Sequence, residues 1–251
     1  MSRIVGLAVA WAVLGALACT DVSGNSTSVL SIEFDSLAAP SVVLGDTLRD
    51  STGTVATPVV RAYNFKGELI DQAPVRFQSA DAGVFADSIT GVITADSLRT
   101  TPARIIASVG SLQAVQKINV TLRPDLAAAE HGLDSLQYSL LDTTLNVSPL
   151  LTVKLTHGIV PADSVVSYYM VSFAVVSPGN PLLAELVTEA GKVSRVDTTD
   201  TNGIAGRAIR LHPVYLTATE DSIIVNATVK FRGTQISGSP VRLVLKVRPR
   251  T

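Results

Sequence analysis

The sequence predicts an all-β chain that builds two β-sandwich domains in tandem after a signal peptide and a short flexible tether. Three observations carry the prediction. Apolar and polar side chains alternate with a period of two along most of the 251 residues, as they do in strands with one dry and one wet face. Turn residues interrupt the alternation at short intervals, as at Gly45-Asp46, Lys66-Gly67, Asp81-Ala82-Gly83, Gly91 and Gly110. Valine is the commonest residue, and with threonine and isoleucine it makes the chain rich in β-branched side chains, which favours strands over helices. The period excludes a helical bundle. A single large barrel fits less well, because a proline break and a restarted pattern divide the chain.

In the first half the pattern predicts strands over residues 28–34, 39–44, 56–63, 74–79, 84–87, 91–95, 103–108 and 112–121. Val75, Phe77 and Ser79 share one face, with Arg76 and Gln78 on the other. Ile118 and Val120 alternate with Lys117, Asn119 and Thr121. Leu122-Arg123-Pro124-Asp125 then ends the unit, since proline cannot donate to a ladder. The first domain is assigned to residues 28–123 and the second to residues 124–251. Residues 126–131 have the composition of one helical turn, too short to be a stable helix.

Alternation then resumes. Leu151, Val153 and Leu155 alternate with Thr152, Lys154 and Thr156. Ile223, Val225, Ala227, Val229 and Phe231 oppose Ile224, Asn226, Thr228 and Lys230. Val241, Leu243, Leu245 and Val247 alternate with Arg242, Val244, Lys246 and Arg248. Arg232-Gly233-Thr234 reads as a hairpin turn. The run from Val165 to Val176 is apolar on both faces. It predicts a central strand covered on both sides, or one that abuts the other domain.

The N-terminus has the order of a secretory signal: Arg3, an apolar run from Ile4 to Leu17, small residues, then Cys19. The run is too short to span a bilayer, which takes ~20 apolar residues. Ala16-Leu17-Ala18-Cys19 resembles the bacterial lipobox, although leucine is commonest three places before the cysteine and Ala16 stands there. The resemblance implies that residues 1–18 are removed and that Cys19 is acylated. The alternative is an ordinary signal cut at Ala18 with an incidental cysteine, and the placing of the chain's one cysteine at that spot favours the lipobox. Cys19 is the chain's only cysteine, so the exported part has no disulfides and is stable through its cores alone. Residues 19–27 are small and polar and read as a tether. Losing Arg3 with the signal leaves 19 basic against 21 acidic residues, a net charge of -2. That balance argues against nucleic acid as a partner.

A family resemblance covers residues 28–122. It is carried by Val43-Leu44-Gly45-Asp46-Thr47, Val59-Val60-Arg61-Ala62-Tyr63, Gly67-Glu68-Leu69-Ile70 and Pro74-Val75-Arg76-Phe77-Gln78-Ser79. Gly91-Val92-Ile93-Thr94-Ala95, Ala103-Arg104-Ile105-Ile106-Ala107-Ser108 and Ile118-Asn119-Val120 complete the order. This segment resembles the bacterial immunoglobulin-like (Big) modules of invasin- and intimin-type surface proteins. Phe77 stands where those modules commonly carry tryptophan. In the second half, Asp200-Thr201-Asn202-Gly203-Ile204-Ala205 is similar to the family's turn into a late strand. The resemblance implies two immunoglobulin-like sandwiches and a non-enzymatic binding, adhesion or spacer role.

Candidate chemistry is sparse. Thr198-Thr199-Asp200-Thr201-Asn202-Gly203 has oxygen ligands at alternate places, but a calcium loop needs aspartate first and glutamate twelfth, where Thr198 and Ile209 stand. It reads as a β-turn. His131, His157 and His212 have neither a nucleophile elbow nor metal-ligand spacing around them. No catalytic residue, metal or cofactor is expected. Sugars stack on aromatic faces, and the single tryptophan, Trp11, lies in the signal; Tyr63, Tyr138 and Tyr215 are the candidates among the tyrosines that remain. Arg242, Lys246, Arg248 and Arg250 read as a solvated basic face. Glycosylation-type triplets begin at Asn25, Asn119, Asn146 and Asn226, and in a threonine-rich bacterial chain they arise by chance.

The expectation is an exported lipoprotein, held on the bacterial outer membrane or cell surface by lipid on Cys19, that meets a protein or surface partner. The alternative is a glycan-binding accessory lipoprotein of an uptake system, which predicts two or three surface aromatics in one patch.

Overall fold

The computed structural model describes residues 28–131, 134–158, 164–217 and 221–250. Residues 1–27, which hold the expected signal peptide, Cys19 and the whole of the expected tether, lie outside the described residues. Every described element apart from two single-turn 3-10 helices is a strand.

In the first sandwich, β1 (Ser31–Ser36) pairs antiparallel with β3 (Val59–Tyr63). The opposing sheet has the order β2 (Ser41–Val43), β8 (Leu112–Thr121), β7 (Ala103–Val109), β4 (Arg76–Ser79). β5 (Val84–Ala86) and β6 (Ile93–Ala95) form a hairpin, and Leu48 N–H donates to the Ile93 carbonyl at 2.8 Å. Along β7, Ala103, Ile105, Ala107 and Val109 all turn inward. Gly110, at φ 58°, supplies the left-handed residue that a two-residue hairpin requires, so Val109 pairs with Leu112. Leu48, Val84, Ile93, Ile105, Ile118 and Val120 fill the space between the layers.

The second sandwich repeats the plan. One sheet runs β10 (Asp134–Tyr138), β20 (Val241–Pro249), β17 (Ser222–Thr228), β13 (Met170–Ser177), β15 (Val196–Thr198). The other contains β9 (Leu126–Ala129), β11 (Leu151–His157), β16 (Ile204–Leu211) and β14 (Ala184–Val187), with β12 (Ser164–Val165) beside β11. In both sandwiches the opening strand is split between the layers. Its second half runs parallel to the closing strand, β2 to β8 and β10 to β20. The two sheets so formed share one order, second half-strand, closing strand, penultimate long strand, third long strand. This is the two-layer immunoglobulin-like arrangement, twice in tandem. Leu151, Leu155, Phe173, Ile209, Ile223 and Leu245 are among the fully buried side chains of the second core.

The two layers of the second sandwich are also tied by a buried guanidinium. Arg207 on β16 reaches Asp197 on β15 at 2.8 Å and donates to the Val196 carbonyl. Asp197 Oδ2 accepts the Gly206 N–H at 2.8 Å. A buried charge persists only where it is paired in this way.

Three sequence readings need correction. Residues 126–131 contribute strand β9, paired antiparallel with β11, rather than a helical turn. Four residues cannot hold a helix alone, and an open sheet edge satisfies their backbone instead. The run Val165 to Val176 is not one strand. β12 ends at Val165, Val166 is fully buried, Tyr168 takes φ 60°, and β13 begins at Met170 in the other layer. Its two-sided apolar character comes from this crossing, and Met170 packs against the first core. The alternation from Ile223 to Phe231 likewise ends at Thr228. Lys230–Phe231 (β18) turns through Arg232-Gly233 into Thr234–Gln235 (β19).

The chain runs from pole to pole. β2 and β8 both point toward the second sandwich, and Ser31 opens β1 opposite Tyr63 at the far end of the first. β17 runs toward the first sandwich, so its antiparallel neighbour β20 runs away from it to Pro249. The 10 residues of β8 and 9 of β20, at ~3.3 Å each, together span about 60 Å. Between the sandwiches, Leu122 packs on the second core. Asp125 N–H donates to the Thr156 carbonyl at 2.9 Å, and Asp125 Oδ1 lies 2.7 Å from Arg123. The connection is pinned at both ends.

Candidate functional site

The most elaborate polar cluster of the described residues lies where the sandwiches meet. Gly45, at φ 74°, turns the chain out of β2 and places Asp46 at the joint. The Asp46 side chain is only 4% exposed. Arg49 grips it from its own domain, Nε to Oδ2 at 3.0 Å and Nη2 to Oδ1 at 3.1 Å. Arg232, 186 residues further on, makes the same two contacts at 3.0 and 3.1 Å from the other domain. Thr47 N–H donates to Oδ1 at 2.8 Å. Burial alone raises the carboxyl pKa, but the hydrogen bonds from Arg232, Arg49 and Thr47 outweigh it and bring Asp46 down to about 2. Paired planar guanidiniums suit this geometry because each offers two parallel donors.

The surroundings hold Arg232 in place. Its guanidinium lies 5.3 Å from the Phe231 ring centre, and Arg123 lies 5.9 Å from the same ring. Ser41 Oγ donates to the Tyr168 carbonyl at 2.6 Å. Tyr169 donates its phenol to the Lys230 carbonyl at 2.6 Å, and burial pushes that phenol up to about 12. Gly53 and Gly233 meet backbone to backbone across the joint: a Cβ on Gly53 would fall 2.0 Å from the Gly233 nitrogen. Among the described residues, Tyr168 and Arg232 are the non-glycine positions with positive φ, 60° and 50°. Both border the joint. Such conformations cost ~1–3 kcal/mol each and persist where surrounding contacts enforce them.

Beside the clamp a cleft of about 290 Å³ opens between the loop 46–53 and the outer face of β13 and β17. Val43, Met170 and Phe231 give it apolar walls, and Ser172, Thr228 and Lys230 add polar ones. Ser172 and Thr228 are directly opposed across β13 and β17.

The residues singled out in the sequence lie elsewhere. Cys19 is outside the described residues. His131 Nδ1 is 3.2 Å from Thr152 Oγ1, His157 Nδ1 is 2.6 Å from Asp125 Oδ2, and His212 Nε2 is 3.8 Å from Glu185 Oε2. The three histidines share no site. Asp200 Oδ1 accepts from Asn202 and Ile204 N–H at 2.8 and 2.9 Å, so the Asp200–Gly203 segment is a turn closed on itself. Asn146 is fully buried and exchanges both side-chain bonds with the Ser139 backbone, at 2.7 and 2.8 Å. Tyr63 donates to Glu33 on the first sandwich, Tyr138 packs on the second core, and Tyr215 is 44% exposed near the far pole. They form no common patch. Arg242, Lys246, Arg248 and Arg250 are exposed, with Lys246 paired to Asp221 at 3.2 Å. Among the described residues no group of three or more histidine, cysteine or carboxylate side chains is arranged to hold a metal.

No family model matches the chain, and no curated protein matches it. Among solved structures it is similar to the surface layer protein SbsC, domains 1–6. The TM-score is 0.33 at 11% identity, covering 91% of this chain and 29% of that one. The chain thus spans under a third of that structure's length. Human protocadherin-24 EC1-2 gives a TM-score of 0.27 at 16% identity, covering 89% and 100% of the two chains. Mouse cadherin-23 EC22-24 gives 0.27 at 13% identity, covering 88% and 65%.

The clamp has a pH signature. The folded pKa of Asp46, about 2, lies below its ordinary 3.8. Its stabilisation is therefore complete above the ordinary value and is lost as pH falls toward the folded one. A shift of that size corresponds to about 2 kcal/mol. Asp46→Asn is expected to lose that stability at neutral pH. Its urea midpoint should then converge on the parent's as pH falls from about 4 to about 2. A constant gap between the two curves across that interval would contradict the assignment.

Proposed function

We propose that this chain is a non-enzymatic module of a bacterial cell envelope. It is carried on lipid attached to Cys19 and presents two immunoglobulin-like sandwiches as one stiff unit for spacing or adhesion. The observation that carries this reading is the joint. Asp46 is shared by arginines of both domains, glycine backbones abut at Gly53 and Gly233, and the connecting residues are hydrogen-bonded rather than loose. A chain that enters at one pole and leaves at the other, with a locked middle, sets a fixed distance between whatever lies at its ends. The outward loops of the second sandwich, where Leu140, Leu141 and Val214 are 73%, 100% and 78% exposed, are then the part held furthest from the anchor. A glycan-binding reading gains no support from Tyr63, Tyr138 and Tyr215, which do not converge.

The anchor is tested by fractionation. Cys19→Ser is expected to move the protein from the membrane to the soluble envelope fraction, because the lipid contributes ~0.8 kcal/mol per buried methylene. A variant that still sediments with membranes would remove the lipid from the proposal.

A further inference from the structure

We propose that the cleft at the joint is a binding site for a small ligand that carries a carboxylate. This goes beyond the spacer reading and depends only on the docked arrangement of the two sandwiches. The cleft, about 290 Å³, matches the lower bound of small-molecule sites, and domain interfaces are a preferred place for them.

Its chemistry is directional. Three cations, Arg49, Lys230 and Arg232, face two carboxylates, Asp46 and Asp50. Both carboxylates are already engaged. Asp46 is consumed by the two arginines, and Asp50 Oδ1 accepts from Thr52 N–H, Thr52 Oγ1 and Thr54 N–H at 2.9, 2.6 and 3.0 Å. All three nitrogens of Arg49 are used, since its Nη1 donates to the Gly53 carbonyl at 2.9 Å. The ammonium of Lys230 makes no hydrogen bond or ion pair among the described residues, although the backbone of the same residue is fixed by Tyr169. The site thus carries one positive charge in excess, and the Lys230 ammonium, on a rigid root, is its uncommitted donor among the described residues. A carboxylate meets that requirement. Met170 and Phe231 would pack against the ligand's carbon skeleton, and the opposed hydroxyls of Ser172 and Thr228 would bond its polar substituents. Arg232, in the left-handed region at φ 50°, lines the cleft, and Tyr168, at φ 60°, immediately precedes its lining residue Tyr169; enforced backbone geometry of this kind commonly serves ligand binding.

The sequence provides its own reporter. The chain has two methionines, Met1 and Met170, so a methyl-13C-methionine label places one internal NMR probe in the cleft wall. Labelled full-length protein is titrated with D-glucuronate and, separately, with N-acetyl-L-glutamate. D-glucose and N-acetyl-L-glutamine are the neutral counterparts. At least one acid is expected to shift the Met170 methyl saturably below about 10 mM, and the acid that does so tells a sugar source from a peptide one. Lys230→Gln is expected to weaken that binding about tenfold, while Lys246→Gln on the far part of the sheet leaves it unchanged. The free-state Met170 resonance verifies that each variant keeps its joint. Three results would overturn the proposal: no saturable shift with either acid, equal shifts with the neutral compounds, or undiminished binding by Lys230→Gln. Domain orientation is read by scattering and occupancy by the methyl, so failure of the spacer reading and failure of this one are separately visible.

Discussion

Gly53→Ala is expected to part the two sandwiches while leaving each of them folded. Gly53 sits at φ 91°, and a Cβ there would lie 2.0 Å from the Gly233 nitrogen and 2.6 Å from the Gly233 Cα and the Arg232 carbonyl carbon. These obstacles are backbone, so no rotamer change relieves them. The hairpin carrying Arg232 must back away, and the contacts from Arg232 to Asp46 go with it. The left-handed conformation adds ~1–2 kcal/mol of local strain. Small-angle scattering should show a larger radius of gyration, and calorimetry should resolve two independent melts. Gly110→Ala is the matched control: it has φ 58° and nothing within 4 Å of its Cβ position, so it incurs the strain without touching the joint. If Gly53→Ala scatters like the parent protein, the two backbones do not meet as described.

Phe77→Ala is expected to destabilise the first sandwich by about 3 kcal/mol, the lower end of the range for a buried phenylalanine. The ring is 9% exposed and lies opposite Ala107, which is fully buried. Its Cε2 comes within 3.0 Å of where a Cβ on Gly91 would be, so the ring covers the bare backbone there. The lower end applies because β4 closes its sheet at an edge and can settle inward after the truncation. Urea denaturation followed by circular dichroism measures this. An unshifted midpoint would place the ring in solvent.

The strands that could be read from the sequence are those with one wet and one dry face. Ala103 to Val109 and Val241 to Val247 alternate except at Ile106 and Val244, and both are strands with alternate residues buried. β9 was hidden because three alanines carry no face preference, and only the presence of β11 beside them decides their state. The crossing at Val166 was hidden because a segment passing between two layers is apolar on every side. The joint left still less trace. Gly45-Asp46 and Arg232-Gly233 each read as a turn, and each is one. That the two turns share a carboxylate depends on contact across 186 positions, for which no local spacing exists.

The parallel pairing of half-strand and closing strand in each sandwich sets how the molecule answers tension. A pull on its two ends drags β2 against β8 and β10 against β20 along their length. The ladder bonds are then loaded in shear, all together, rather than peeled apart singly. The first sandwich aligns three residue pairs in this way and the second five, so the mechanically weaker link is the sandwich through which the chain enters.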